Sequence, residues 1–187
     1  MRLILAFVSV GLLPLAAQAP FSRTVREHAL SVAPFVPSPQ PIVDRMLDLS
    51  NLRPGDTVYD LGCGDARVLI TAAQRFRAKG IGVELSPLLV RSATDEVRRL
   101  NLQDQITITQ GDLREVNLQG ADVVTIYLET NTNEMLRPNL EKWLRAGSRV
   151  VSHDFEVRGW KPTKVEKIDY YNRTHTIYLY QMPPQKK

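Results

Sequence analysis

The chain has 187 residues, 43% hydrophobic and 24% charged, with a formal net charge of +4. That length holds one ordinary domain, and that composition excludes a wholly disordered chain, a collagen-like repeat and a polytopic membrane protein. One cysteine excludes an intrachain disulfide, the histidines at 28, 153 and 175 have no metal-ligand spacing, and the charge is too small to indicate nucleic acid, so neither a metal nor a nucleic-acid partner is expected.

Arg2 is followed by an apolar stretch over residues 3–17, with small residues at Ala16, Ala17 and Ala19. A positive start, a short apolar run and small residues are the layout of a secretory signal, so residues 1–19 read as a signal peptide or a short N-terminal anchor. Cleavage after Ala19 fits the small-x-small rule but leaves Pro20 just past the cut; cleavage after Ala17 and retention as an anchor stay open. Residues 20–41 form a Pro-rich segment in which Pro34, Pro37, Pro39 and Pro41 impose extended or turn geometry. The domain proper is assigned to residues 42–187.

Ile42, Val43, Met46 and Leu47 share one helical face opposite Asp44, Arg45 and Asp48, which predicts a helix ending near Leu52. Arg53-Pro54-Gly55-Asp56 is a turn. A strand over 57–60 runs into Gly62-Cys63-Gly64, and a helix over 67–77 faces Val68, Leu69, Ala72, Ala73 and Phe76 inward. The next strand covers 80–84. Ser86 is a natural N-cap and Pro87 a natural first residue for a helix to Leu100. Strands over 105–110 and 121–128 follow, then a helix over 133–144 that Ala146-Gly147 ends, then a strand over 148–155. Strands over 165–170 and 174–182 flank a hairpin turn at Tyr171-Asn172-Arg173, and the Lys186-Lys187 tail is expected to fray. Strands alternating with helices make an α/β fold with a mostly parallel sheet and an antiparallel edge.

In such sheets ligands bind beyond the carboxyl ends of the strands. The first strand ends in Asp60-Leu61-Gly62-Cys63-Gly64-Asp65, where glycines let the backbone turn and approach a ligand. The second ends in Glu84, whose carboxylate can accept from both hydroxyls of a ribose, and the third in Gly111-Asp112, placed to meet an adenine edge. Three successive tips thus present a glycine loop, an acid and an acid, the order a nucleoside ligand needs. A dinucleotide fingerprint would want a third glycine where Arg67 stands.

Asp60-x-Gly62-x-Gly64 instead resembles motif I of class I S-adenosylmethionine (SAM) methyltransferases, over residues 57–182. That resemblance implies a Rossmann-like seven-stranded sheet of order 3-2-1-4-5-7-6, strand 7 antiparallel, with flanking helices. It implies SAM as cofactor, with Asp60, Gly62, Cys63 and Gly64 at its methionine part, Glu84 at the ribose and Asp112 at the adenine. Val36-Pro37-Ser38-Pro39, Tyr59 to Asp65, Thr125-Ile126-Tyr127-Leu128 and Val151 to Phe155 resemble one subgroup more closely. It is the small protein-lysine N-methyltransferases known from mitochondria, acting on the ATP synthase c-subunit and the adenine nucleotide translocase, with bacterial relatives. Ala66 departs from that subgroup's usual glycine.

The resemblance implies methyl transfer to a lysine amine of a protein, membrane-associated proteins included. A small-molecule methyltransferase and a non-catalytic, membrane-anchored SAM-binding module are the alternatives; no feature signals an oligomer. The leader implies an exported or membrane-associated enzyme, against which stands the cytosolic supply of SAM. Candidate catalytic residues lie at the tips of strands 4 and 5: Tyr127, Glu129, His153 and Asp154. Each also has an ordinary reading: a core aromatic, a helix-start charge, and a hydrogen-bonded pair fixing a loop. Phe35 and Trp160 either cover the pocket or pack on the sheet, and Asn131 and Asn133 read as helix caps.

Overall fold

The computed structural model describes residues 35–187. The 1–19 leader and most of the Pro-rich segment therefore lie outside the described residues. Helix α1 (Gln40–Leu49) starts with Pro39 at its cap and Pro41 in its first turn, where a missing N–H costs nothing. The helix stops three residues short of the expected Leu52, because Ser50 and Asn51 turn the chain: Ser50 Oγ donates to Leu47 O at 2.7 Å. No described helix is long and apolar enough to cross a membrane.

Strands β1 (Thr57–Leu61), β2 (Lys79–Glu84), β3 (Ile106–Gln110), β4 (Val123–Ile126) and β5 (Arg149–His153) pair in parallel. Helices α2 (Arg67–Phe76), α3 (Pro87–Arg99) and α4 (Thr130–Trp143) connect them. A short pair, β6 (Trp160–Lys161) with β9 (Gln185–Lys186), brackets the hairpin of β7 (Lys164–Tyr170) and β8 (Arg173–Gln181). The main sheet has the order β3-β2-β1-β4-β5-β8-β7, with β8 antiparallel to both neighbours. Counting main-sheet strands alone, this is the expected 3-2-1-4-5-7-6 order.

Strand alternation sends Val58, Val123 and Val151 to one face, packed on α1, α2 and α3. Tyr59, Leu61, Val124, Ile126 and Val150 go to the other, packed on α4, Trp160 and Tyr180. Trp160 is therefore core and covers no pocket: its indole N–H donates to Glu141 Oε1 at 2.8 Å and its ring meets Tyr180 edge-on. Nor does the C-terminal tail fray as expected. Lys186 pairs with Trp160, Lys187 N–H donates to Gly159 O at 3.1 Å, and its ammonium reaches Glu156 at 2.6 Å. The sequence period of two ended at Met182, so the later pairing left no local trace.

Helix α4 begins at Thr130, three residues before the expected start. Asn133 is thus inside the first turn rather than a cap, and its Nδ2 donates to Phe155 O at 3.1 Å.

Ala66 sits at the entrance of α2 with φ +65°, fully buried, its N–H donating to Cys63 O at 2.8 Å. A Cβ in the left-handed region costs about 1 kcal/mol or more. Ala66→Gly is expected to stabilise the protein by about 0.5–1 kcal/mol, raising Tm by about 1–4 °C. Thermal melts of the two proteins check this; a lower Tm in the variant would mean that the lost methyl contact outweighs the relieved strain.

Candidate active site

The order of the sheet reverses between β1 and β4, so their following loops part and leave a crevice at the carboxyl edge. Gly62 and Gly64 leave β1 with φ +82° and +54°. The Gly62 and Cys63 N–H groups both donate to Val83 O, at 2.8 and 3.2 Å, which ties the loop to β2. Gly64 N–H donates to Glu84 Oε2 at 3.1 Å, and Ser86 N–H to Glu84 Oε1 at 2.9 Å. Two backbone donors thus aim the Glu84 carboxylate, and each oxygen keeps a second lone pair.

Cys63 contributes only backbone. Its Sγ lies beneath the loop, where a Cβ on Gly82 would come within 2.7 Å, and burial pushes the thiol pKa well up, so no thiolate forms there. Asp60 is buried and accepts from Thr125 Oγ1 at 2.7 Å. Burial raises its carboxyl from 3.8 to about 7; the Thr125 bond opposes this, and the charges of Asp65 and Glu84 add to it. Asp112 caps the turn Leu113–Glu115, accepting from Arg114 N–H at 2.9 Å, and its two oxygens pair with the Arg114 guanidinium, which holds its pKa down. Its carboxylate is at the expected tip but already engaged.

The described end of the Pro-rich segment lies on this loop. The Phe35 ring covers Gly64 so closely that a Cβ there would be 2.3 Å from Cε2. Asp65 grips Arg67, whose guanidinium donates to Ser38 O at 2.9 Å.

Across the crevice, the tips of β4 and β5 meet. The Tyr127 ring stacks on His153 with centroids 3.9 Å apart, and its hydroxyl donates to Asp154 Oδ2 at 3.4 Å. Burial and the Asp154 charge raise the Tyr127 pKa, so the hydroxyl stays protonated. His153 is fully buried; Ser38 Oγ is 2.8 Å from Nδ1 and His175 Nδ1 is 2.8 Å from Nε2. Burial pushes its pKa down to about 4, against the opposing pull of Asp154, so the ring is neutral at physiological pH. Asp154 has φ +60°; its Oδ2 accepts from Arg173 at 2.6 Å, and its Oδ1 from Thr176 N–H at 2.8 Å. Glu129 is exposed at the N-terminal cap of α4 and makes no capping bond.

The fold therefore collects the ten expected residues along one sheet edge, in two groups. Asp60, Gly62, Cys63, Gly64, Glu84 and Asp112 line the loops after β1 to β3; Tyr127, Glu129, His153 and Asp154 line those after β4 and β5. Sequence reasoning missed Thr125, His175 and Arg173, which reach the site through strand pairing, while Ser38 comes in with the Pro-rich segment. Asn133 Oδ1 is the only fully buried side-chain polar atom without a hydrogen-bond partner among the described residues.

The donor set suits SAM. Ribose hydroxyls are donors, and Glu84 is an acceptor-only group held with free lone pairs. SAM carries an ammonium and a sulfonium, and the loop offers the carboxyl groups of Asp60 and Glu84 beside a backbone that glycine keeps open.

The family profile described as the ANTKMT methyltransferase domain matches residues 60–164. A protein-lysine N-methyltransferase of Saccharolobus islandicus is 46% identical over 154 residues, covering 82% of this chain and 96% of that relative. The mouse adenine nucleotide translocase lysine N-methyltransferase is 33% identical over 71% of this chain, which spans only 57% of that longer protein. Among solved structures, an RNA methyltransferase from Salinibacter ruber in complex with S-adenosyl-L-homocysteine superposes with a TM-score of 0.75, at 39% identity, covering 81% of this chain and 97% of that one.

Two outcomes test the cofactor side. Glu84→Ala should weaken SAM binding ten- to hundredfold, about 1.5–3 kcal/mol, by calorimetry; unchanged affinity would remove Glu84 from the site. Asp60 favours folding while protonated, a contribution complete below its ordinary 3.8 and lost as pH rises through about 7. Asp60→Asn, which stays neutral, should match the wild-type Tm below pH 3.8, exceed it by a growing margin as pH rises to about 7, and keep a constant margin above that, measured without SAM.

Proposed function

The chain belongs to the ANTKMT methyltransferase domain family, and from that premise we propose that it methylates the side-chain amine of lysine in a protein substrate. It is a SAM-dependent methyltransferase. The observation that carries the lysine reading is the mouth itself. An aromatic ring, Tyr127, and two carboxylates, Asp154 and Glu129, stand opposite the glycine loop in a chain similar over 82% of its length to a protein-lysine N-methyltransferase.

Bound SAM would supply a methyl group on a positively charged sulfur, an excellent leaving group. What remains for the protein is alignment and exclusion of water, which together can supply roughly 7–11 kcal/mol of a barrier. Asp60, Gly62 and Gly64 would hold the methionine end and Glu84 the ribose, and Phe35 walls the loop. Tyr127 is held by His153 on its ring face and by Asp154 at its hydroxyl, so it offers a fixed surface to an aliphatic lysine stem. The hydroxyl can also accept an N–H of the amine. Glu129, free of capping bonds, draws a cationic side chain to the opening. Only the uncharged amine can attack, and burial of the lysine end against the Tyr127 ring would favour that form.

A second reading follows from the Salinibacter ruber relative, titled an RNA methyltransferase. RNA binding would call for a basic track along the mouth, where phosphates could displace counterions. Here Arg173 is neutralised by Asp154, and Glu129 adds negative charge, so the mouth suits a cation better. For location, the proposal is that the apolar leader, residues 1–19, keeps the enzyme at a membrane as an uncleaved anchor, with the domain on the side where SAM is made.

Incubation of whole-cell extract with methyl-labelled SAM, followed by separation of protein and RNA, distinguishes the substrates. Label recovered as methyl-lysine supports the proposal; label in nucleosides alone replaces it with the RNA reading. On the acceptor so identified, Tyr127→Phe or Glu129→Gln should cut turnover tenfold or more, about 1.4 kcal/mol in the barrier, with little change in SAM affinity. Wild-type turnover in both variants would move the acceptor site away from the β4 tip.

A further inference from the structure

The histidines were expected to be unconnected, yet β8 brings His175 beside His153 and Asp154. His153 Nε2, His175 Nδ1 and Asp154 Oδ2 form a triangle with sides of 2.8, 3.1 and 3.3 Å. We propose that this triangle is a binding site for a divalent transition metal of the zinc class, at the β5 side of the crevice and held by two imidazole nitrogens and one carboxylate oxygen.

Three features carry the proposal. The first is spacing. Bonds of about 2.0–2.1 Å place neighbouring ligand atoms about 2.9 Å apart on an octahedral face and about 3.4 Å apart on a tetrahedral one. Two of the observed sides, 3.1 and 3.3 Å, fall within that range, and the third, 2.8 Å, lies just below it. The second is ligand type: two nitrogens and one oxygen are the mixture that zinc and its first-row neighbours take, whereas calcium and magnesium want oxygen alone.

The third is that two of the three ligands are steadied from outside the triangle. Ser38 Oγ bonds the far nitrogen of His153 at 2.8 Å, and Tyr127 stacks on its ring. Thr176 N–H bonds the far oxygen of Asp154 at 2.8 Å. Metal-binding histidines are commonly oriented by such a bond on the opposite nitrogen. His153 and His175 are both buried, and Asp154 nearly so, so the triangle is already assembled and excludes most competing water.

Two groups stand against a metal at Asp154 Oδ2, of which the Tyr127 hydroxyl at 3.4 Å is the more distant. The Arg173 guanidinium donates to Asp154 Oδ2 at 2.6 Å. Its side chain is 56% exposed, and exposed ion pairs are weak, so it can leave for solvent when a cation arrives. This competitor gives the proposal a distinctive signature. Removing Arg173 should improve metal binding, while it could only weaken a cluster that exists for hydrogen bonding.

The test is calorimetric titration of tag-free, metal-stripped protein with Zn²⁺, with Co²⁺ absorption as a second probe of nitrogen ligation. Wild type is expected to bind one equivalent saturably. Arg173→Ala should bind several-fold more tightly, Ser38→Ala about tenfold more weakly, and His175→Gln at least a hundredfold more weakly, with circular dichroism confirming that each variant is folded. Absence of saturable binding in both wild type and Arg173→Ala overturns the proposal. So does Zn²⁺ affinity that His175→Gln leaves unchanged, since the metal would then sit elsewhere. Neither result depends on which molecule accepts the methyl group.

Discussion

Strand β1 leaves the sheet through a turn that needs left-handed backbone at three of five positions, Gly62, Gly64 and Ala66. An L-residue adopts that region only at a cost, and two of the three are glycine. The turn lets the Gly62 and Cys63 amides reach back to Val83 O while the Gly64 amide reaches Glu84. One local geometry therefore joins the first two strand tips and sets the aim of the carboxylate on the second. It also sets where α2 begins, hence where Arg67 can hold the Ser38 carbonyl. A change in the turn would propagate to the loop, the acid and the Pro-rich strap together.

The two acids nearest that turn do different work because their surroundings differ. Glu84 is partly exposed and held by two backbone amides. Asp60, one strand away, faces inward and has only the Thr125 hydroxyl as a described partner, so burial governs its protonation. A positive charge beside such an acid would favour its ionised form.

The strands and the acids at their tips were legible in the sequence because their signals are local, and the sheet order came with the family resemblance. Asp60, Gly62 and Gly64 sit within five positions, Ser86-Pro87 marks a helix start, and each acid follows a strand. Helix ends were less legible: Thr130 opens α4 although Asn131 and Asn133 look like caps, because Asn133 is claimed by the loop after β5. His175 was illegible for a different reason. It lies 22 residues from His153, and only the antiparallel register that pairs His153 with Ile177 puts the two rings in contact. The β6–β9 pair and the buried Trp160 have the same origin: long-range pairing, with no periodic trace in either partner.

Ser38 links these separate histories. It belongs to a segment whose prolines would suit a simple tether, yet its carbonyl is held by Arg67 and its hydroxyl by His153. Three residues earlier Phe35 closes over Gly64. The prolines between and beside them limit the paths the chain can take, so ordering the strap forfeits less entropy than ordering a flexible loop would. The segment therefore spans both halves of the crevice, touching the glycine loop with one residue and the β5 tip with another. A core of seven strands and four helices leaves that edge open, and residues 35–39 close one side of it. The site is thus completed by chain outside the sheet, and its two groups of residues hold their relative positions through a strap anchored at both.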